Sequence, residues 1–232
     1  NLSLLAFALL VISCSTAQKA TKTADILAYK NSITSSELSK HLYIVADDNM
    51  EGRNTGEPGQ KRAGEYLINE YKKNGISFPT GATDFYQKVP SEFMKRGFAP
   101  KLNDSENIWA FIEGTEKPNE VLVISAHYDH VGMKNGEVFN GADDDGSGTV
   151  ALLEIAQAFK KAKDDGFGPK RSILFLHVTG EEHGLHGSRF YSENPLFPIE
   201  NTIANINIDM IGRRDTLHPL SLIHISEPTR PY

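Results

Sequence analysis

The stretch EVLVISAHYDHVG, residues 120–132, opens as a short apolar run and closes on His127, Asp129 and His130. An apolar run of this length, bounded by polar residues, reads as a strand buried on both faces. Two later stretches repeat the design. RSILFLHVTGEEHG predicts a strand over residues 172–178, followed at once by Glu181, Glu182 and His183, and TIANINIDMIG ends its apolar part at Asp209. Between the first two lies GSGTVALLEIAQAFKKA, a helical pattern buried on much of its surface, and GLHGSRFYSENP reads as a short helix leading into a loop. Three apolar strands separated by helices predict an α/β fold with a largely parallel central sheet covered by helices on both faces. Each strand ends in side chains able to bind metal, and in open α/β sheets the crevice beyond the carboxyl ends of the strands is where ligands bind.

Upstream, SSELSKHLYIVADD reads as a helix capped by Ser35 or Ser36, with Leu38, Leu42 and Val45 on one face. MEGRNTGEPGQKRAGEYLINEYKKNGI begins as a Gly-rich loop and becomes a second helix, with Ala63, Tyr66, Leu67 and Tyr71 along its stripe and Gly75 placed to end it. Within that loop, Glu51 and Arg53 are expected to brace the domain. Short strand candidates lie at residues 85–89 and 107–112.

The 232 residues and formal charge of -6 suit one globular domain with a substantial core and give no polybasic surface for nucleic acid. An apolar run at residues 2–12 is too short to span a bilayer and has the shape of a secretory signal core. VISC resembles a bacterial lipobox, which would make Cys14 a lipidated first residue and the chain's only possible membrane contact; an ordinary secretory signal is the alternative. Cys14 is also the only cysteine, so an intrachain disulfide is excluded. At the other end, LSLIHISEPTRPY resembles the translation of a sequencing adaptor. The expected organisation is therefore a signal remnant at 1–14, a linker at 15–34, a partial catalytic domain at 35–219 and a non-native tail at 220–232.

The acidic triplet in GADDDGSG, residues 141–148, gains its meaning from its neighbours. Divalent ions accept carboxylate oxygen and imidazole nitrogen, and two ions about 3.5–4 Å apart need a carboxylate that reaches both. Blander readings compete at each position. His127 alone could be a satisfied interior histidine, Asp209 a cap, and Glu181 and Glu182 acids at a helix start. Asp143 and Asp145 are expected to support the turn and cap the following helix. Arg213 and Arg214 could pair with surface acids or orient a peptide.

Four ordered blocks, HYD, GADDDGSG, GEE and NIDM, together resemble the M28 zinc aminopeptidases of the bacterial leucyl-aminopeptidase type. The resemblance covers residues 35–219 and implies a zinc-exopeptidase-like fold, C-terminally incomplete. It also implies two zinc ions, with His127 and Asp209 as ligands of the first, Asp144 as the bridge and Glu182 as a ligand of the second. Glu181 matches the general base, Asp129 the acid that orients His127, and the peptide between Asp144 and Asp145 is a candidate cis bond. His130, His177, His183 and His186 match no ligand role. The family's final histidine ligand lies well beyond NIDM, so the second zinc site is expected to be incomplete here, with His218 too early and His224 in the suspected tail.

The activity implied is zinc-dependent hydrolysis of N-terminal peptide bonds, on peptides with free N-termini, by a protein exported to the periplasm or lipid-anchored in the cell envelope. The alternatives are carboxypeptidase or glutaminyl cyclase activity on the same scaffold, or a non-catalytic, metal-stabilised envelope binding protein.

Overall fold

A computed structural model of the chain describes residues 24–95, 101–213 and 224–226, the last as backbone only. The expected signal remnant with Cys14, the first nine residues of the linker, Arg214, His218 and most of the suspected tail lie outside the described residues.

The elements run in the order α1 (Ile26–Lys30), α2 (Ser35–Val45), α3 (Pro58–Lys73), β1 (Tyr86–Val89), β2 (Ser105–Ile112), β3 (Lys117–His127), a small hairpin of β4 (Met133–Lys134) and β5 (Glu137–Val138), α4 (Gly148–Asp164), β6 (Arg171–Val178), α5 (His186–Glu193), β7 (Thr202–Asn207) and β8 (His224–Ser226). Among the described residues no helix is long and apolar enough to cross a membrane.

The main sheet has the order β1-β2-β6-β3-β7-β8 and is mixed, which corrects the expectation of a largely parallel sheet. Only β6, β3 and β7, the three strands read from apolar runs, pair in parallel, whereas β1 with β2, β2 with β6, and β7 with β8 pair antiparallel. The physical reason lies in a connection. Parallel neighbours need a crossover of a dozen or more residues. Only residues 113–116 separate β2 from β3, so the chain must reverse, and β6 then inserts between them, parallel to one and antiparallel to the other.

The central strands alternate their side chains between two cores. Ile108, Ala110, Ile112, Ile124, Ala126, Ile173 and Phe175 face a cluster closed by Ala63, Leu67, Ile68 and Tyr71 of α3 and Leu152, Leu153 and Ala156 of α4. Trp109, Val121, Val123, Leu174, Leu176 and Val178 face the other side, where Tyr191 of α5 joins them. Burial on both faces is why these strands read as continuous apolar runs rather than as alternating ones.

The cap of α2 falls one residue before the expected serines. Thr34 is extended, and its Oγ1 accepts from the Glu37 N–H at 3.2 Å, satisfying one of the free donors of the first turn. On α3, Pro58 occupies the first turn, where a missing N–H costs nothing, and Gly75 takes φ +66° just past the end.

His177 of β6 is wholly buried and shares a 2.7 Å hydrogen bond with the Tyr71 hydroxyl. Burial drives its pKa down to about 3, from an ordinary value of 6.5. The unfolded chain therefore binds a proton that the folded one refuses, so this residue's contribution is present above pH 6.5 and is lost as pH falls toward 3. Removing the pair with His177→Leu and Tyr71→Phe is expected to shrink the drop in unfolding free energy between pH 7 and about pH 4.5 by about 2–3 kcal/mol, read by urea denaturation.

Candidate metal centre at the strand ends

The carboxyl ends of β3, β6 and β7 lie side by side, because β3 pairs in parallel with both neighbours. That register puts His127 at the end of β3 opposite Val178, with Glu181 and Glu182 in the turn beyond β6 and Asp209 just past β7. A cleft of about 330 Å³ opens there, lined by His127, Glu181, Asn205, Asn207 and Asp209 among others.

The loop from Gly141 to Gly148 supplies the acids. Its peptide between Asp144 and Asp145 is cis, and the two neighbouring carboxylates have different partners. Asp145 is fully buried and its oxygens are already engaged: Oδ1 accepts from the N–H groups of Gly148 (2.9 Å) and Met210 (3.2 Å), and Oδ2 from that of His127 (3.2 Å). It caps α4, as expected, and it also ties the ends of β3 and β7 to that helix. Burial pushes its carboxyl up to about 8, with His127 pulling it down. Asp143 turns outward and accepts from Gly212 N (2.9 Å) and from Arg213 Nε (2.6 Å), so Arg213 takes the surface pairing rather than the cleft.

Two groups of ligand-type atoms remain. In one, His127, Asp145 and Asp209 converge, and in the other His130, Asp144 and Glu182 do so, each set with atoms within 4.8 Å of one another. Since the Asp145 oxygens already serve three N–H donors, the carboxylate available to His127 is Asp144, whose Oδ1 is 3.1 Å from His127 Nε2. Asp209 Oδ1 stands 3.7 Å from the same nitrogen. Asp144 thus lies between the two groups. On the far side, His130 Nδ1 approaches Glu182 Oε1 to 2.7 Å.

These close approaches are not hydrogen bonds. Among the described residues, His127 Nε2, His130 Nδ1, Glu182 Oε1 and Asp209 Oδ1 are all buried atoms without a hydrogen-bond partner, despite the short separations. Buried polar atoms are normally paired, and lone pairs that converge out of line with any proton ask for a cation. The residues present therefore fit divalent metal, and the mixture of imidazole and carboxylate suits zinc or a similar ion. The local charge agrees. Burial opposes protonation of His127, but Asp129, Asp144 and Asp209 override it and raise its pKa well above the imidazole range. His130 is lowered by burial and by Arg53, and the Glu182 and Glu181 carboxyls are raised by burial.

The supporting atoms are equally specific. His127 Nδ1 lies 3.1 Å from the Asp129 carbonyl oxygen, while the nearest Asp129 carboxylate oxygen is 3.7 Å away. The Asp129 carboxylate instead accepts from Thr55 Oγ1 (2.8 Å) and from the Glu181 N–H (3.2 Å), so it positions the turn that carries the two glutamates. Glu181 lines the cleft and Glu182 joins His130, a divergence of neighbours within one turn.

Sequence reasoning left His130 without a ligand role. Its placement follows from backbone contacts: the His130 N–H donates to the Arg53 carbonyl (3.1 Å), and Asn54 bridges to His130, folding the segment after β3 back across the site. The three-residue step from His127 to His130 was the available signal. His183 points away and meets Asn54 Oδ1 at 3.0 Å, and His177 belongs to the core.

Comparison with known proteins gives a consistent picture. The family model described as Peptidase family M28 matches residues 107–228. A vacuolar membrane protease of Aspergillus clavatus is 33% identical over 130 residues, covering 56% of this chain and 12% of its own length. The chain spans only a small part of the first curated relatives it matches. Among solved structures, the aminopeptidase from Aneurinibacillus sp. strain AM-1 superposes with a TM-score of 0.61 at 15% identity, over 83% of this chain and 74% of that one. Porphyromonas gingivalis glutaminyl cyclase does so with a TM-score of 0.58 at 23% identity, over 78% and 61%.

Proposed function

Because the chain belongs to peptidase family M28, we propose that it is the catalytic core of a metal-dependent exopeptidase that removes N-terminal residues from peptides, of the leucyl-aminopeptidase type. One observation carries the reading: buried, partnerless atoms of His127, His130, Glu182 and Asp209 converge with the Asp144 carboxylate beside an open cleft. His127, Asp144 and Asp209 would hold one zinc, and Asp144, Glu182 and His130 the other. When bound, the ions supply Lewis-acid polarisation of the scissile carbonyl and lower the pKa of water toward about 7.

The chain's own residues do the rest. Glu181, facing the cleft, takes the proton from the attacking water and returns it to the leaving amine, so the same carboxylate serves as base and then acid. Its backbone N–H bond to Asp129 fixes the turn, which keeps Glu181 in the cleft while Glu182 binds. Asp145 holds three backbone N–H groups and keeps the loop carrying Asp144 registered to β3 and β7. The acidic surroundings favour a substrate that brings a positive α-amine. In this reading the protein works outside the cytoplasm, since residues 2–12 have the pattern of an export signal.

The likeness to a glutaminyl cyclase favours one second reading, cyclisation of N-terminal glutamine on the same scaffold. Both are tested on the complete gene product with free, N-blocked and Gln-initiated peptides. Cleavage of free peptides that is lost on chelation and recovered with zinc is the expected result. Loss of ammonia from Gln-initiated peptides without cleavage supports the cyclase. Metal-dependent thermal stability with neither reaction overturns the enzymatic reading in favour of a binding protein.

A further inference from the structure

We propose that Glu37, His41 and Glu154 form a third divalent-cation site, separate from the strand ends, at which a zinc-class ion ties α2 to α4. Glu37 and His41 are four residues apart on α2 and so share one helix face. Glu154 comes from α4, six residues past Gly148 and hence about 9 Å along the helix from the acidic loop. Ligand-type atoms of the three residues lie within 4.8 Å of one another.

Three further observations point to an ion rather than to a simple buried ion pair. His41 and Glu154 are only 3% and 1% exposed, so neither can leave its charge to solvent. His41 Nε2 and Glu154 Oε1 are 3.2 Å apart, yet among the described residues Glu154 Oε1 has no hydrogen-bond partner. This is the same misaligned approach seen between His127 and Asp144. Two atoms each about 2.1 Å from a tetrahedral zinc stand about 3.4 Å apart, close to the separation found here.

The third observation concerns the other ring nitrogen. His41 Nδ1 shares a 2.6 Å hydrogen bond with the Tyr66 hydroxyl of α3. With the proton on Nδ1, Nε2 presents its lone pair toward the two glutamates, and a partner at the far nitrogen is what fixes a metal-binding imidazole. Burial lowers the pKa of His41, which keeps the ring neutral and able to coordinate at neutral pH. Burial raises Glu154, a cost that a cation offsets. Glu37, with its side chain 44% exposed and Lys40 at 3.3 Å, forms the open side through which an ion and a water ligand enter.

The site exists to join helices that differ in what anchors them: α4 packs on the sheet, whereas α2 lies over α4. A cross-link there steadies the α2 side of the loop that carries Asp144, since Leu42 of α2 lies against Gly146.

The test measures zinc per chain by atomic emission after dialysis, with affinity from competition against a chromophoric chelator, on the complete gene product. Glu37→Gln and Glu154→Gln are each expected to hold one zinc fewer than the wild type, and Tyr66→Phe to bind that ion about tenfold or more weakly. Asp144→Asn, which alters the strand-end groups, is expected to keep it. Wild-type zinc content in both folded glutamate variants overturns the proposal. Should Glu154→Gln fail to fold, the half-exposed Glu37→Gln decides alone, with unchanged stoichiometry and affinity as the overturning result.

Discussion

Glu181→Gln in the complete gene product is expected to lower kcat by about 10²–10⁴-fold while leaving the metal content at its wild-type level. Gln has nearly the shape and volume of Glu, but it cannot accept and return a proton. Glu181 lines the cleft and belongs to neither convergent group, so no ligand is removed by the change. Its N–H bond to Asp129 is made by the backbone and survives substitution. The neighbouring variant Glu182→Gln provides the contrast: it takes a carboxylate from the His130 and Asp144 group, so metal content and turnover fall together. Steady-state kinetics and metal analysis on the same preparations separate the two. Unchanged turnover in Glu181→Gln removes the general-base assignment and leaves the rest of the site standing.

Arg53→Met is expected to destabilise the fold by about 3–5 kcal/mol, the range for breaking a buried charged network from one side. Arg53 is 0% exposed and donates from Nε to the Tyr128 carbonyl (2.9 Å), from Nη1 to Val45 and Asn140 (2.7 Å each) and from Nη2 to Gly141 (2.7 Å). Removing the guanidinium strands four carbonyls on three different segments, and buried acceptors without donors cost more than the bond itself was worth. Burial lowers Arg53 to about 10, still charged at neutral pH, with Asp129, Asp145, Asp144 and Glu182 opposing that fall. The damage therefore extends to the site: Tyr128 and Gly141 flank His127 and the acidic loop. Urea denaturation reads the stability loss, and Arg53→Lys is expected to recover only part of it, since a point charge cannot reproduce a planar fork. A cost under about 1 kcal/mol would reduce Arg53 to a bystander.

Glu51 and Arg53, both expected to brace the domain, do so in different ways that no local pattern distinguishes. Arg53 sits at φ 51°, inside the core, while Glu51 stays near the surface and pairs with Arg62 at 3.0 Å. Composition could place them in a turn; only the assembled segments around that turn could set their burial.

The amino-acid sequence alone determined the α/β class, the three apolar strands and the helices between them, because local periodicity encodes which faces meet a core; that β3 and β6 are buried while β7 is only partly covered was decided by their places in the sheet. It also determined that acids and histidines follow each strand, since strand ends and turns are local features. Sheet order and direction were decided by tertiary structure: the insertion of β6 between β2 and β3 depends on strand pairing across more than fifty residues, which no local pattern carries. The same holds for the site. Adjacent Asp144 and Asp145 are chemically alike, and the local Gly148 N–H together with two N–H donors from the distant ends of β3 and β7 engage one of them and leave the other to face His127. His130 and the Glu37, His41 and Glu154 cluster were likewise hidden in the chain, because convergence of ligand atoms is a property of packed elements rather than of spacing.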